Sequence, residues 1–88
     1  MRPFRVTLEG SWSPKRWNDI AGFFATRIVL AENPDQAAEI AQGRLLGELS
    51  EQLPGCPEPK IRIDIIDSAE AEQLLESPKG FTFYSNGD

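Results

Sequence analysis

Trp12, Lys15, Arg16 and Trp17 fall within one short polar segment that also contains Pro14. Two indoles and two cations on one loop can grip an anion, a nucleobase or a peptide through stacking and cation–π contacts. Tryptophan and arginine are also the usual anchors of protein interfaces. With Arg27 as a neighbour from the strand that follows, these five residues form the candidate partner-binding set. The competing expectation is that the indoles fold back to cover the sheet.

Other residue types narrow the chemistry. The chain has no histidine and a single cysteine, Cys56, so the commonest general base is missing and ordinary zinc ligation is excluded. Cys56 lies in Pro54-Gly55-Cys56-Pro57, which reads as a loop, and it has no second cysteine to pair with. Asp64, Asp67, Glu70, Glu72 and Glu76 cluster in sequence, but their positions suit helix capping and a solvated face better than acid–base work. Gly43 and Gly47 fall inside a helical pattern and cannot cradle a phosphate there. The expectation is a non-enzymatic protein with no catalytic residue, cofactor or metal.

Elements able to position these residues are well marked. Phe4-Arg5-Val6-Thr7-Leu8-Glu9 alternates apolar and polar, the period of a strand with one buried face. Ser11 to Gly22 reads as a long loop. Phe23 to Ala31 is a second strand, rich in aromatic and β-branched residues. It is apolar on both faces: Phe23, Ala25, Val29 and Ala31 on one, with Arg27 among them, and Phe24, Ile28 and Leu30 on the other. Such a strand needs shelter on each side, from the chain's own loop and tail or from a second copy.

Asn33-Pro34-Asp35-Gln36 opens a helix, with Asn33 as N-cap, Pro34 in the first turn and Gln36 placed for a capping box. Ala37, Ala38, Ala41, Leu45, Leu49 and Leu53 then share a face at helical spacing, up to Pro54-Gly55. Gly43 and Gly47 on its flank allow either a close backbone approach or simple tolerance. Lys60 to Asp67 is a third strand, Asp67 to Glu76 a short helix burying Ala71, Leu74 and Leu75, and Phe81 to Tyr84 a last strand. The order β-β-α-β-(short α)-β predicts an α+β two-layer sandwich. Its small mixed sheet has the first strand between the second and third, and one long helix packs on one face.

Eighty-eight residues make a single domain, spanning 1–88, with an ordinary apolar content. No run is long enough to cross a bilayer and the first residues lack a secretory pattern, so a cytoplasmic location is expected. Net charge is −5, yet residues 1–30 are basic and residues 31–88 strongly acidic. The overall sign opposes phosphate attraction and makes nucleic acid an unfavoured partner.

Gly22-Phe23-Phe24-Ala25-Thr26-Arg27, the segment Ala31 to Ala37, and Gly80-Phe81-Thr82-Phe83-Tyr84 together resemble a group of small bacterial proteins of unknown function. That group has a Gly-Phe-aromatic-Thr-Thr-Arg strand, a capped helix and a C-terminal Gly-Phe-Thr-Phe-Tyr segment. Ala25 departs from the pattern, where threonine is expected. The resemblance implies no activity. The strand–strand–helix opening is similar in arrangement to HicB-type antitoxin domains, which usually add a DNA-binding segment that this sequence lacks. The leading expectation is a homodimeric protein-interaction module. The alternatives are nucleic-acid or anionic-ligand binding through the basic, aromatic loop and, more remotely, an antitoxin-like regulator.

Overall fold

The computed structural model describes residues 1–12, 17–75 and 80–85. Strand β1 (Arg2–Ser11) runs into β2 (Gly22–Ala31), helix α1 (Pro34–Gln52), strand β3 (Lys60–Ser68), a 3₁₀ turn η1 (Ala71–Leu74) and strand β4 (Thr82–Tyr84). The sheet order is β3-β1-β2-β4. With β1 between β2 and β3, every hydrogen-bonded neighbour is antiparallel, so the sheet anticipated as mixed has only antiparallel ladders. Among the described residues, no helix is long and apolar enough to cross a membrane.

The period-2 pattern of β1 sends Phe4, Val6 and Leu8 toward α1, where all three are buried. Their partners on β2 are Val29, Arg27 and Ala25, and Gly10 lies opposite Phe23. α1 closes this layer with Ala37, Ala41, Leu45 and Leu49. Ala38 and Leu53, expected on the same face, are only half-buried. The helix starts where its capping residues predict. Asn33 Oδ1 accepts from the Gln36 backbone N–H at 2.8 Å, and Gln36 Oε1 accepts from the Glu32 N–H at 2.6 Å. The reciprocal bond therefore reaches one residue beyond the N-cap.

Two expectations change. Residues 17–20, read as loop, form a tight hairpin tip in which the N–H of Trp17 and of Ile20 each donates to the other's carbonyl, at 3.0 and 2.9 Å. Asn18 and Asp19 both take positive φ, 50° and 65°, as a two-residue turn matched to strand twist requires. Trp12 N–H donates to Ala21 O at 2.9 Å, carrying the ladder beyond β1 and β2. The second change concerns the short helix. Asp67 belongs to β3, Glu70 is the N-cap, and only one 3₁₀ turn forms. A turn of this kind has no broad apolar face, so Ala71 is exposed, Leu74 half-buried and Leu75 92% exposed.

Gly10 is required by packing. A Cβ there would overlap the Phe23 ring, whose far end occupies that point beside β1. Gly10→Ala is expected to destabilise the fold by about 1–3 kcal/mol, the usual range for overpacking a filled core. Urea unfolding of the two proteins measures it.

Candidate interaction surface

The five residues singled out by sequence do not form one surface. Lys15 and Arg16 lie outside the described residues. Trp12 is buried, its indole N–H donates to Pro57 O at 2.7 Å, and its ring packs 5.7 Å from Phe23 and 6.1 Å from Trp17. Trp17 is half-buried against the core. The competing expectation, that the indoles cover the sheet, describes Trp12. Its N–H is satisfied by the loop after α1, so this ring joins the hairpin end to the helix end.

Arg27 corrects the expectation further. It faces α1 and is only 2% exposed. Nε and Nη2 donate to the two Glu48 carboxylate oxygens at 3.3 and 3.0 Å, while Nη1 donates to Thr26 O at 2.8 Å and Gly80 O at 3.2 Å. The guanidinium also lies 5.1 Å from the Phe81 ring centre. A planar fork of five N–H donors meets this geometry where a lysine would not. Arg27 therefore ties α1, β2 and the approach to β4 together inside the protein.

The aromatic C-terminal segment is turned inward in part. Phe81 sets its ring 5.3 Å from Phe23 and packs against the core, while Phe83, 6.1 Å from Phe23 and stacked on Phe81, stays exposed. Tyr84 faces the other way. Its hydroxyl donates to Glu9 Oε2 at 2.6 Å, and Arg62 Nε donates to Glu9 Oε1 at 3.2 Å. Tyr84 is on β4 and Glu9 on β1, with β2 between them. The tyrosine can cross because β2 has Gly22 at that position, where a Cβ would overlap the hydroxyl. This outer-face network links three strands, and sequence reasoning missed it because nothing in local pattern places β4 beside β2. The tyrosine hydroxyl, followed by Arg62, holds the Glu9 carboxyl below its usual range. The carboxylate in turn pushes the Tyr84 hydroxyl up.

What the fold leaves exposed lies mainly on the side away from α1. Phe24, Leu30 and Ile65 are exposed on this outer face, at 40%, 42% and 51%. Ile28 shares the face but is 3% exposed; at this end η1 packs against β1 and β2 and, among the described residues, does not touch α1. The strand predicted to need shelter twice is fully covered on the α1 face and covered only at Ile28 on the other. Gly43 and Gly47 are open to solvent with nothing near a Cβ position, which is the tolerance expected of exposed helix positions.

The β3 edge is the second exposed feature. β3 carries Ile61, Ile63, Ile65 and Ile66, and not one of its residues is buried. Ile61, Ile63 and Ile66 point to the α1 side opposite Gly10, Leu8 and Val6, yet remain only partly covered. A groove of about 400 Å³ lies at the opposite side of the sheet between Phe24, Ala25, Thr26 and Gly80, Phe81, Thr82; none of these is titratable. Among the described residues, no group of three His, Cys, Asp or Glu side chains is close enough to hold a metal. Against protein-family models, curated proteins and solved structures, the chain finds no match.

Two measurements test these networks. Glu9 releases its proton at lower pH folded than unfolded, so its contribution is full above the unfolded pKa and lost as pH falls through the folded one. Tyr84 keeps its proton to higher pH when folded, so its contribution is full below about pH 10 and lost as pH rises through the folded value. Tyr84→Phe should abolish the alkaline loss and reduce the acid one in circular-dichroism melts across pH. Separately, Glu48→Ala leaves the Arg27 guanidinium buried without its anion, and should lower stability by about 1–3 kcal/mol in urea unfolding.

Proposed function

We propose that the protein is a non-enzymatic interaction module that works as a homodimer. The observation that carries this reading is β3, a nine-residue edge strand with four isoleucines and no buried residue. A helix with its side chains is about 10 Å across, whereas four strands at about 4.8 Å spacing make a sheet roughly 19 Å wide. α1 lies over β1 and β2, where Glu48 is held by Arg27, and its cover thins out at β3. A second copy placed beside β3 would extend both layers and shelter the isoleucine row from water, where each fully buried side chain contributes roughly 1.5–3 kcal/mol.

The alternative of nucleic-acid or anionic-ligand binding through the basic, aromatic segment has less support. Trp12 and Arg27 are committed to the core, and Tyr84 is bonded to a carboxylate. No observation favours the antitoxin-like reading.

Light scattering at tens of micromolar should give about twice the 9.8 kDa chain mass. A single species at the chain mass would remove the homodimeric reading.

A further inference from the structure

The β3 strand contains an irregularity that decides how two copies can meet. Thr7 pairs with Ile65, but its neighbour Leu8 pairs with Ile63, so Asp64 has no partner on β1. This one-residue bulge shifts the alternation of side chains along β3. Before it, Lys60 and Arg62 face outward, opposite Ser11 and Glu9, with Ile61 and Ile63 on the α1 side. After it, Ile65 and Asp67 face outward, opposite Thr7 and Arg5, with Ile66 and Ser68 on the α1 side. Arg62 and Asp67 therefore share a face, which residues five apart in a regular strand do not.

From this geometry we infer that two copies join edge to edge through β3, antiparallel and related by a two-fold axis between Asp64 and Ile65. The inference rests on the homodimeric reading above and names its contacts. Arg62 lies opposite the partner's Asp67, and Asp67 opposite the partner's Arg62. Ile63 meets the partner's Ile66 on the α1 side, and again by symmetry. An isologous contact needs this kind of self-complementary pattern. Cross-strand pairs of opposite charge and of β-branched residues are the units that stabilise a sheet. The result is a continuous eight-stranded sheet with a helix on each half.

Only two symmetric registers spanning the bulge keep outward residues against outward ones. The other sets Lys60 against the partner's Asp67 but leaves Arg62 facing the partner's Ile65. The register proposed matches guanidinium to carboxylate and isoleucine to isoleucine, and confines its one unlike pairing, Asp64 beside the partner's Ile65, to the bulge at the axis. Charged edge strands usually repel pairing, but that protection needs like charges to meet. Here two cations precede two anions along the strand, so a two-fold reversal brings opposites together at Arg62 and Asp67. Asp64 approaches the axis from both copies, with the Arg62 of its own chain close enough to feel its charge. β3 has no ladder on its other edge among the described strands. On the β1 side Arg62 donates to Glu9 and Asp67 lies opposite Arg5, so the partner's carboxylate would join Glu9 around the Arg62 guanidinium.

A charge-reversal series tests the register. Arg62→Asp and Asp67→Arg should each raise the dimer dissociation constant about tenfold or more, since each sets like charges opposite one another twice. Mixed in equal amounts, the two variants should dimerise as the wild type does, because each then meets its complement at both positions. Lys60→Glu should dimerise normally. Sedimentation equilibrium reads all four, with circular dichroism checking that each variant is folded. If wild type is dimeric and both reversals self-associate as tightly, this register is wrong while the homodimer stands. Loss of dimer in Lys60→Glu but not in Arg62→Asp selects the other register and equally overturns this one. A monomeric wild type removes the homodimer and the register together. Should a variant fail to fold, hydrogen exchange on the wild type decides: β3 amides should gain protection as protein concentration rises, while β1 and β2 amides should not. Concentration-independent exchange along β3 would overturn the inference.

Discussion

One helix cannot roof four strands, and most features of this molecule follow from how that mismatch is handled. α1 is positioned over β1 and β2, and the four fully buried residues along it meet Phe4, Val6, Leu8, Ala25 and Val29. The cover is then extended by aromatic side chains. Trp12 closes the hairpin end, Phe81 closes the β4 side against Phe23, and the 3₁₀ turn lies against β1 and β2. β3 receives the least, and its isoleucines stay partly wet.

Two polar anchors hold this cover in place. On the α1 side, the buried Arg27 guanidinium bonds to Glu48 and to two backbone carbonyls. Removing a buried charge's partner is costly, because the desolvated group is left without compensation, so the pair sets where α1 can lie as well as holding it. On the outer face, Tyr84 reaches across Gly22 to Glu9, which also receives Arg62. The short β4 strand has only three ladder partners, and this long side-chain bond secures it to a strand two positions away. Glycine at positions 10 and 22 makes both arrangements possible, one by admitting the Phe23 ring and the other by admitting the tyrosine hydroxyl.

A surface partner set drawn from residue type alone would have centred on Trp12 and Arg27. Both are interface-forming residue types, and both are buried. The same properties that make indole and guanidinium useful in recognition, large apolar area with a polar handle and a planar donor fork, serve equally inside a small protein short of core volume. The hairpin tip at Asn18-Asp19 had a legible signal, since these residues tolerate positive φ, but its two central residues lack the glycine that usually marks such a turn.

Local pattern was enough to determine the four strands and the long helix. Alternation along β1, the Asn33-Pro34-Gln36 start of α1 and the Pro54-Gly55 stop are short-range signals whose physics is complete within a few residues. The order of β3, β1 and β2 also followed, because a helix crossover leaves few ways to place the first strand; the place of β4 did not. Tertiary structure alone decided what each charged or aromatic side chain faces. Glu9 and Tyr84 are 75 residues apart, Arg27 and Glu48 lie on different layers, and the Asp64 bulge exists only relative to β1. The bulge could not be read from the sequence, because Lys60 to Ser68 alternates acceptably until the pairing register shows where one residue is left over. A contact that depends on register is set by the whole sheet, and no window of sequence contains it.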